Sequence, residues 1–263
     1  MQISGSTVLI TGATGGLGHA IARALSARGG KLILTGRRAG VLDELATELG
    51  ARALAIDLAA PAEVDRLVAE AGEVDILIAN AALPASGLLD SYTQEQIDRA
   101  LNVNLRAPIV LAHALLPAMV ARGRGHLLFV SSLQGKASTP GASLYIASKF
   151  GLRGFASGLR ADLHSSGVGV STVLPGFISD TGLRANVDVK LPPGAGMRTP
   201  EQVARGVVRA IERNRAEVEV APLGLRAGTA FASLAPELAA RIMRLMGSEK
   251  IASEVSAAQR EMR

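Results

Sequence analysis

The sequence predicts an α/β fold, a doubly wound parallel sheet of seven strands with helices on both faces, followed by a C-terminal helical extension. Three observations predict it. Short apolar runs alternate with helical patterns across short connections. The first run passes straight into a glycine-rich turn that opens a helix. The apolar content, 48% of residues, is Ala, Val, Leu and Ile with only 3% aromatics and no Trp, the usual filling between parallel strands and covering helices. A chain of 263 residues suits one such domain with a sizeable core.

Thr7-Val8-Leu9-Ile10-Thr11 is the first strand. It runs into Gly12-Ala13-Thr14-Gly15-Gly16-Leu17-Gly18 and then into the helical pattern Ile21, Ala24, Leu25. Glycines let a backbone approach a pyrophosphate, and a helix N-terminus offers free N–H groups, so this is a candidate phosphate cradle, with a merely structural tight turn as its rival. The second strand, Lys31 to Thr35, ends at Gly36-Arg37-Arg38, where an acidic residue would bind a ribose 2′-hydroxyl. Two guanidinium groups suit a 2′-phosphate better, which favours NADP over NAD; two solvated arginines are the bland alternative.

A helix from Val41 to Leu49 stops at Gly50, and Arg52 to Ile56 is a third strand followed by Asp57-Leu58. After a helix from Pro61 to Ala71 comes a fourth strand, Asp75 to Ala79, closed by Asn80-Ala81-Ala82. The next helix, roughly Gln94 to Ala121, holds Asn102-Val103-Asn104-Leu105 mid-way, and asparagine is poor inside a helix unless its amide has a task. A kink at Asn104 holding a water, a cap, and a core hydrogen bond are all open. His126 to Ser131 is the fifth strand and delivers Ser132 to the carboxyl edge, where open α/β sheets bind ligands. Gly169 to Leu174 forms the sixth, stopped by Pro175-Gly176. Residues 177–198, with Pro192-Pro193-Gly194 inside, read as a lid. Thr199-Pro200-Glu201-Gln202 restarts helix with a capping box, and Glu217-Val218-Glu219-Val220 alternates like a last strand.

The chemistry concentrates after the fifth strand. Tyr145 and Lys149, four apart on a helix, share one face. A phenol titrates near ~10 in water, and a close ammonium favours the phenolate, so the pair is expected to bring Tyr145 toward neutrality as an acid/base, with Ser132 hydrogen-bonding the same substrate oxygen. With no Cys, disulfides and thiolate chemistry are excluded, and His19, His113, His126 and His164 show no metal-ligand spacing, so no metal is expected. No Gly-x-Ser-x-Gly elbow appears, which argues against a hydrolase.

Together these motifs resemble the short-chain dehydrogenase/reductase family in its compact single-domain form, over roughly residues 5 to 221. Thr11-Gly12-x-x-x-Gly16-x-Gly18 looks like that family's cofactor loop, and Tyr145-x-x-x-Lys149 with Ser132 thirteen residues upstream looks like its active site. The resemblance implies a Rossmann-type sheet in the order 3-2-1-4-5-6-7 and hydride transfer at a nicotinamide. Catalysis would fall to Asn104, Ser132, Tyr145 and Lys149, the lysine also binding a ribose and Asn104 positioning a relay water. Cofactor contacts would come from Gly12, Thr14, Gly16, Leu17, Gly18, Arg37, Arg38, Asp57, Leu58, Asn80, Ala81, Ala82, Tyr145, Lys149, Pro175, Gly176, Ile178 and Thr181. Three departures stand out, the first being that residues from about Ala221 onward run past the usual family end. Ala79-Asn80-Ala81-Ala82 replaces the family's Asn-Asn-Ala-Gly, and Asp180 stands where a threonine is usual, with Thr181 one later.

The expected activity is interconversion of a secondary alcohol and a ketone on an apolar or lipid-like substrate, since Leu83, Leu88, Leu89, Leu133, Phe177 and Leu183 border the expected cleft. A 3-oxoacyl thioester reductase, and a non-catalytic NADP-binding sensor or scaffold, are the alternatives. The chain divides into residues 1–221, the catalytic domain, and 222–263, an extension in which Leu238, Ile242 and Leu245 recur at helical spacing beside Arg241, Arg244 and Lys250. Packing on the domain or on a second subunit is favoured there over a membrane surface. The formal charge of +5 comes from scattered arginines, which argues against nucleic acid. No signal peptide opens the chain, and the apolar run Ala107 to Ala121 falls short of a bilayer span. A cytoplasmic homodimer or homotetramer is expected.

Overall fold

The structure is a computed structural model that describes residues 1–179 and 196–245. Seven parallel strands, β1 (Thr7–Thr11), β2 (Lys31–Gly36), β3 (Arg52–Ala55), β4 (Ile76–Ala79), β5 (Gly125–Val130), β6 (Val168–Pro175) and β7 (Glu217–Val220), make one sheet in the order β3-β2-β1-β4-β5-β6-β7. Helices α1 (Gly16–Ser26), α2 (Ala39–Leu49) and α7 (Pro200–Glu212) pack on one face, and α3 (Pro61–Ala71), α5 (Ala107–Ala121) and α6 (Ser143–Asp162) on the other. The period of two in β1 divides the core between these layers. Val8 and Ile10 join the α1/α2/α7 layer while Leu9 joins the opposite one, all fully buried. Each such side chain contributes roughly 1.5–3 kcal/mol by leaving water.

β1 lies between β2 and β4, so the connection from β3 to β4 crosses back over the sheet. Open α/β sheets bind ligands at the carboxyl edge beside such a crossing, here next to the loops after β1 and β4. Strand bounds differ from the sequence expectation by a residue or two at β2 to β6, since pairing with neighbours, not local pattern, ends a strand.

Two elements differ more. α4 (Gln94–Leu101), a π-helical turn over Asn102–Arg106, and α5 follow without a break as one helix of 28 residues. That helix is long and apolar enough to cross a membrane by length and composition, unlike the shorter run seen in the sequence. Its inward face, with Leu111, Ala112, Leu115 and Met119, is buried in the core. The C-terminal extension forms α8 (Leu223–Leu234) and α9 (Pro236–Leu245). α8 meets the carboxyl edge through Leu225, which packs on Leu133, Leu174 and Ala221. α9 packs on α8. Leu234, Leu238, Ile242 and Leu245 remain exposed, so of the two expected arrangements, packing on the domain or on a second subunit, this stripe does not pack on the domain among the described residues.

Candidate active site

β5 ends at Val130 and hands the chain to Ser131 and Ser132 at the carboxyl edge. Ser132 is extended, and its Oγ accepts the Gln134 N–H at 3.1 Å, which starts a single 3-10 turn, Leu133–Gly135. A side chain at Gly135 would put its Cβ 2.8 Å from Ser131 Oγ and 2.9 Å from the Lys149 carbonyl, so glycine is what lets this turn lie directly on α6. Ser131 Oγ donates to that same Lys149 carbonyl at 3.0 Å. The turn and the helix are thereby locked together, and the Ser132 hydroxyl is hydrogen-bonded with the Tyr145 phenol.

Tyr145 and Lys149 share one face of α6, as their spacing predicts, and both are buried. Lys149 Nζ donates to the Val130 carbonyl at 3.1 Å and lies 5.6 Å from the centre of the Tyr145 ring. The expected electrostatics are overturned. Burial pushes the Tyr145 phenol up to about 12, with the Ser132 hydrogen bond pulling the other way, and burial brings the Lys149 ammonium down to about 8. Desolvation of the phenolate sets the direction, ahead of the Ser132 hydrogen bond. Without cofactor, Tyr145 is therefore a neutral proton donor at pH 7.

Asn104 combines two of the readings its sequence position left open. It sits in the π-helical turn and is fully buried. Its Oδ1 accepts the Leu83 N–H at 2.7 Å, and its Nδ2 donates to the Leu83 carbonyl at 3.0 Å. The amide thus pairs like a strand with the loop after β4 and anchors it. π turns free backbone groups and recur at functional sites.

The glycine loop follows β1 at the same carboxyl edge. Gly12 has φ +67°, and a Cβ there would fall 2.7 Å from Ala81 Cα, so the loop after β1 touches the loop after β4 backbone to backbone. Asn80 pins the contact: its Nδ2 donates to the carbonyls of Thr11 and Gly12 at 3.0 and 3.2 Å. Thr11 Oγ1, absent from the expected site set, accepts the N–H groups of Asn80 and Ala81, both at 3.0 Å. Those bonds hold the turn despite its departure from the family pattern. Gly18, too, has no room for a side chain, its Cβ falling 2.7 Å from Ala13 Cα.

α4 and α7 each open with a complete capping box, whereas α1 opens at Gly16 with no side-chain cap and no acidic residue in its first turn. An uncapped helix start behind a glycine cradle fits an anionic dinucleotide. Arg37 and Arg38 are exposed at the end of β2, and Arg38 donates to the Thr14 carbonyl inside the loop.

Asp57, expected at an adenine, accepts the Ala59 N–H at 3.1 Å and pairs with Arg99 at 3.0 Å. Burial would raise its pKa, but the Ala59 amide and Arg99 together hold the carboxyl below its ordinary value. No sequence signal marked Arg99, which lies on α4. Leu58 is buried beside it, Leu17 packs on the core, and Ala82 follows the Asn80–Ala81 contact. Pro175 ends β6, and Gly176 lies so close to α8 that a Cβ would come 3.1 Å from Leu225 Cδ2. Ile178 forms an isolated bridge with Arg198, closing the base of the expected lid, while Thr181 and Leu183 lie outside the described residues. Leu83 and Leu133 are core residues; Leu88 and Leu89 are exposed.

A parallel sheet that reverses its order at β1, a glycine cradle and an uncapped helix start define a Rossmann-type dinucleotide-binding protein. Residues 6–191 match the sequence model of the short chain dehydrogenases. The chain belongs to the short-chain dehydrogenase/reductase family and is an oxidoreductase that uses a nicotinamide cofactor. It is 37% identical over 227 residues to "Ketoacyl reductase HetN" of Nostoc sp., covering 83% of this chain and 79% of that protein. It is 34% identical to "Dehydrogenase/reductase SDR family member 7B" of Bos taurus, covering 92% and 81%. Among solved structures, a short-chain dehydrogenase from Sphingobium yanoikuyae in complex with NADPH superimposes with a TM-score of 0.75 at 32% identity, over 81% of this chain and 87% of that one.

Proposed function

We propose that the protein prefers NADP and interconverts a secondary alcohol and a ketone on an apolar or lipid-like substrate, with Tyr145 as the acid/base. The observation that carries this reading is the buried Ser132–Tyr145 hydrogen bond with Lys149 beside it, at the sheet edge that also bears the glycine cradle. When bound, the reduced cofactor supplies a hydride to the carbonyl carbon. Tyr145 gives its phenolic proton to the carbonyl oxygen, and Ser132 orients that oxygen. Lys149 holds a ribose and limits the cost of the phenolate. Asn104 anchors the loop after β4 and, through its π turn, offers a place for a relay water.

In this reading Gly12, Thr14, Gly16, Leu17 and Gly18 line the pyrophosphate. Arg37 and Arg38 take the 2′-phosphate. Asp57 and Leu58 flank the adenine, Asn80 to Ala82 line the cleft, and Pro175, Gly176, Ile178 and Thr181 face the nicotinamide side. The NADPH complex of the Sphingobium relative supports the cofactor choice. Exposed Leu88, Leu89 and Met197 support an apolar substrate. A cytoplasmic homodimer or homotetramer completes the proposal, and light scattering of the purified protein reads its mass.

The test is a panel of ketones and alcohols followed at the absorbance of NADPH, run with Tyr145→Phe in parallel. The variant is expected to lose at least about 10²-fold in kcat. Equal rates end the proposal. Similarity to the Nostoc ketoacyl reductase favours a second reading, reduction of a 3-oxoacyl thioester. Including a 3-oxoacyl N-acetylcysteamine thioester beside its simple ketone analogue separates the two by kcat/KM.

A further inference from the structure

We infer that α8 is a positioning element for the reacting serine. Through Lys136, Glu219, Arg226, Ser233 and Leu225 it holds the Ser132 turn and the Pro175–Gly176 turn in one fixed relation. The inference rests on the reading of Ser132 and Tyr145 as the reacting groups.

Lys136 ends the serine turn. Its carbonyl accepts a hydrogen bond from Ser233 Oγ of α8 at 2.8 Å. Its Nζ lies 2.6 Å from one oxygen of Glu219 on β7, whose other oxygen accepts from Arg226 Nε of α8 at 2.8 Å. The neighbouring strand residue Glu217 is 3.6 Å from the same Nζ and pairs at 2.6 Å with Arg153, one turn beyond Lys149 on α6. The charges therefore link the serine turn, β7, α6 and α8. Lys136 and Glu219 side chains are only 17% and 16% exposed, so solvent screens them less than a surface pair.

Leu225 adds the apolar half: it packs on Leu133 of the serine turn and sits against Gly176. Thr229 is the one buried residue within α8; Leu225 and Ser233, about one turn to either side of it, reach the two turns that flank the reacting groups, and Arg226 reaches Lys136 through Glu219.

The experiment compares Lys136→Met, Ser233→Ala and Lys136→Arg with the wild type in reducing ethyl 3-oxohexanoate, or whichever panel ketone is reduced faster. A slack turn misplaces Ser132, and kcat is expected to fall about tenfold in Lys136→Met, with NADPH affinity by fluorescence unchanged and partial rescue in Lys136→Arg. In a Ser132→Ala background, Lys136→Met is expected to cost nothing further, because the group it positions is gone. In the cofactor-free protein, the amides of Gly135 and Lys136, bonded to the Ser132 and Leu133 carbonyls, are expected to exchange hydrogen faster in both Lys136→Met and Ser233→Ala. Wild-type kcat in Lys136→Met, or a full multiplicative loss on top of Ser132→Ala, overturns the inference. If Tyr145→Phe is inactive while Lys136→Met is not impaired, this inference alone fails; an active Tyr145→Phe defeats the proposed chemistry instead.

Discussion

Lys149 is a side chain kept at a cost to the fold. Its folded pKa of about 8 lies below the ordinary 10.5 because burial penalises the ammonium, and one hydrogen bond to Val130 does not restore its hydration. The penalty is therefore full below pH 8 and fades as pH rises toward 10.5, where the unfolded chain also loses the proton. Allowing about 3 kcal/mol for the shift and about 1 for the lost hydrogen bond, Lys149→Met should stabilise the cofactor-free protein at pH 7 by about 2 kcal/mol. Calorimetry should show Tm rising by about 5 °C while activity disappears. The pairing of Tyr145 with Lys149 was readable from spacing alone; the direction of both pKa shifts was not, because it depends on burial that only tertiary packing creates. Arg37 and Arg38 make a second residue-scale case. In the proposed cofactor pose, replacing both with Leu would remove charge-assisted contacts to a 2′-phosphate, each about 1.5–3 kcal/mol. KM for NADPH should rise at least about tenfold with KM for NADH nearly unchanged, and steady-state kinetics with the two cofactors reads it.

The helix carrying Asn104 shows what an element adds beyond its residues. Two asparagines in an apolar helix signalled an irregularity, and the π turn at Asn102–Arg106 is that irregularity. The amide's partner, Leu83, lies in a loop twenty-one residues away, and nothing local names it. Asn104→Ala strips partners from a buried N–H and a buried carbonyl, each costing about 1–3 kcal/mol. Urea unfolding should show about 2–4 kcal/mol lost, with activity falling further than the unfolded fraction explains. The extension illustrates the opposite limit. Apolar spacing after Pro236 predicted a helix correctly, yet the stripe faces outward among the described residues, since periodicity says which face is apolar and not what meets it.

Across the whole molecule, the alternation of strands and helices was legible because glycine, proline and apolar runs punctuate the chain, whereas the strand order with its crossover came from the family resemblance, since no local pattern says which strands become neighbours. The charge network was not: Lys136 and Glu219 lie eighty-three residues apart, and only the register of β6 with β7 brings Glu219 to that edge. Global stability carries one further mark of burial. His126, hydrogen-bonded to Ser171 at 2.9 Å, is pushed down to about 3, first by burial and then by the N-terminal ammonium and Arg160. Its folded pKa lies below the unfolded 6.5, so its contribution is intact above 6.5 and drains as pH falls toward 3. Urea titrations should show stability dropping by about 1 kcal/mol per pH unit between about 6 and 5, before the carboxylates with lowered values add their own loss. His126→Gln, which keeps a hydrogen-bonding side chain, should flatten that slope.

The Ile178–Arg198 bridge, with Arg198 N–H on the Phe177 carbonyl at 2.8 Å and Ser179 N–H on the Arg198 carbonyl at 2.9 Å, cinches the chain at the neck of the segment between them. The consequence falls on the described residues on either side: Arg198→Pro removes the N–H that the Phe177 carbonyl accepts, so the end of β6 would lose its tie to the chain that enters α7, and the Ser179 amide should exchange hydrogen faster while the strand register stays as it is.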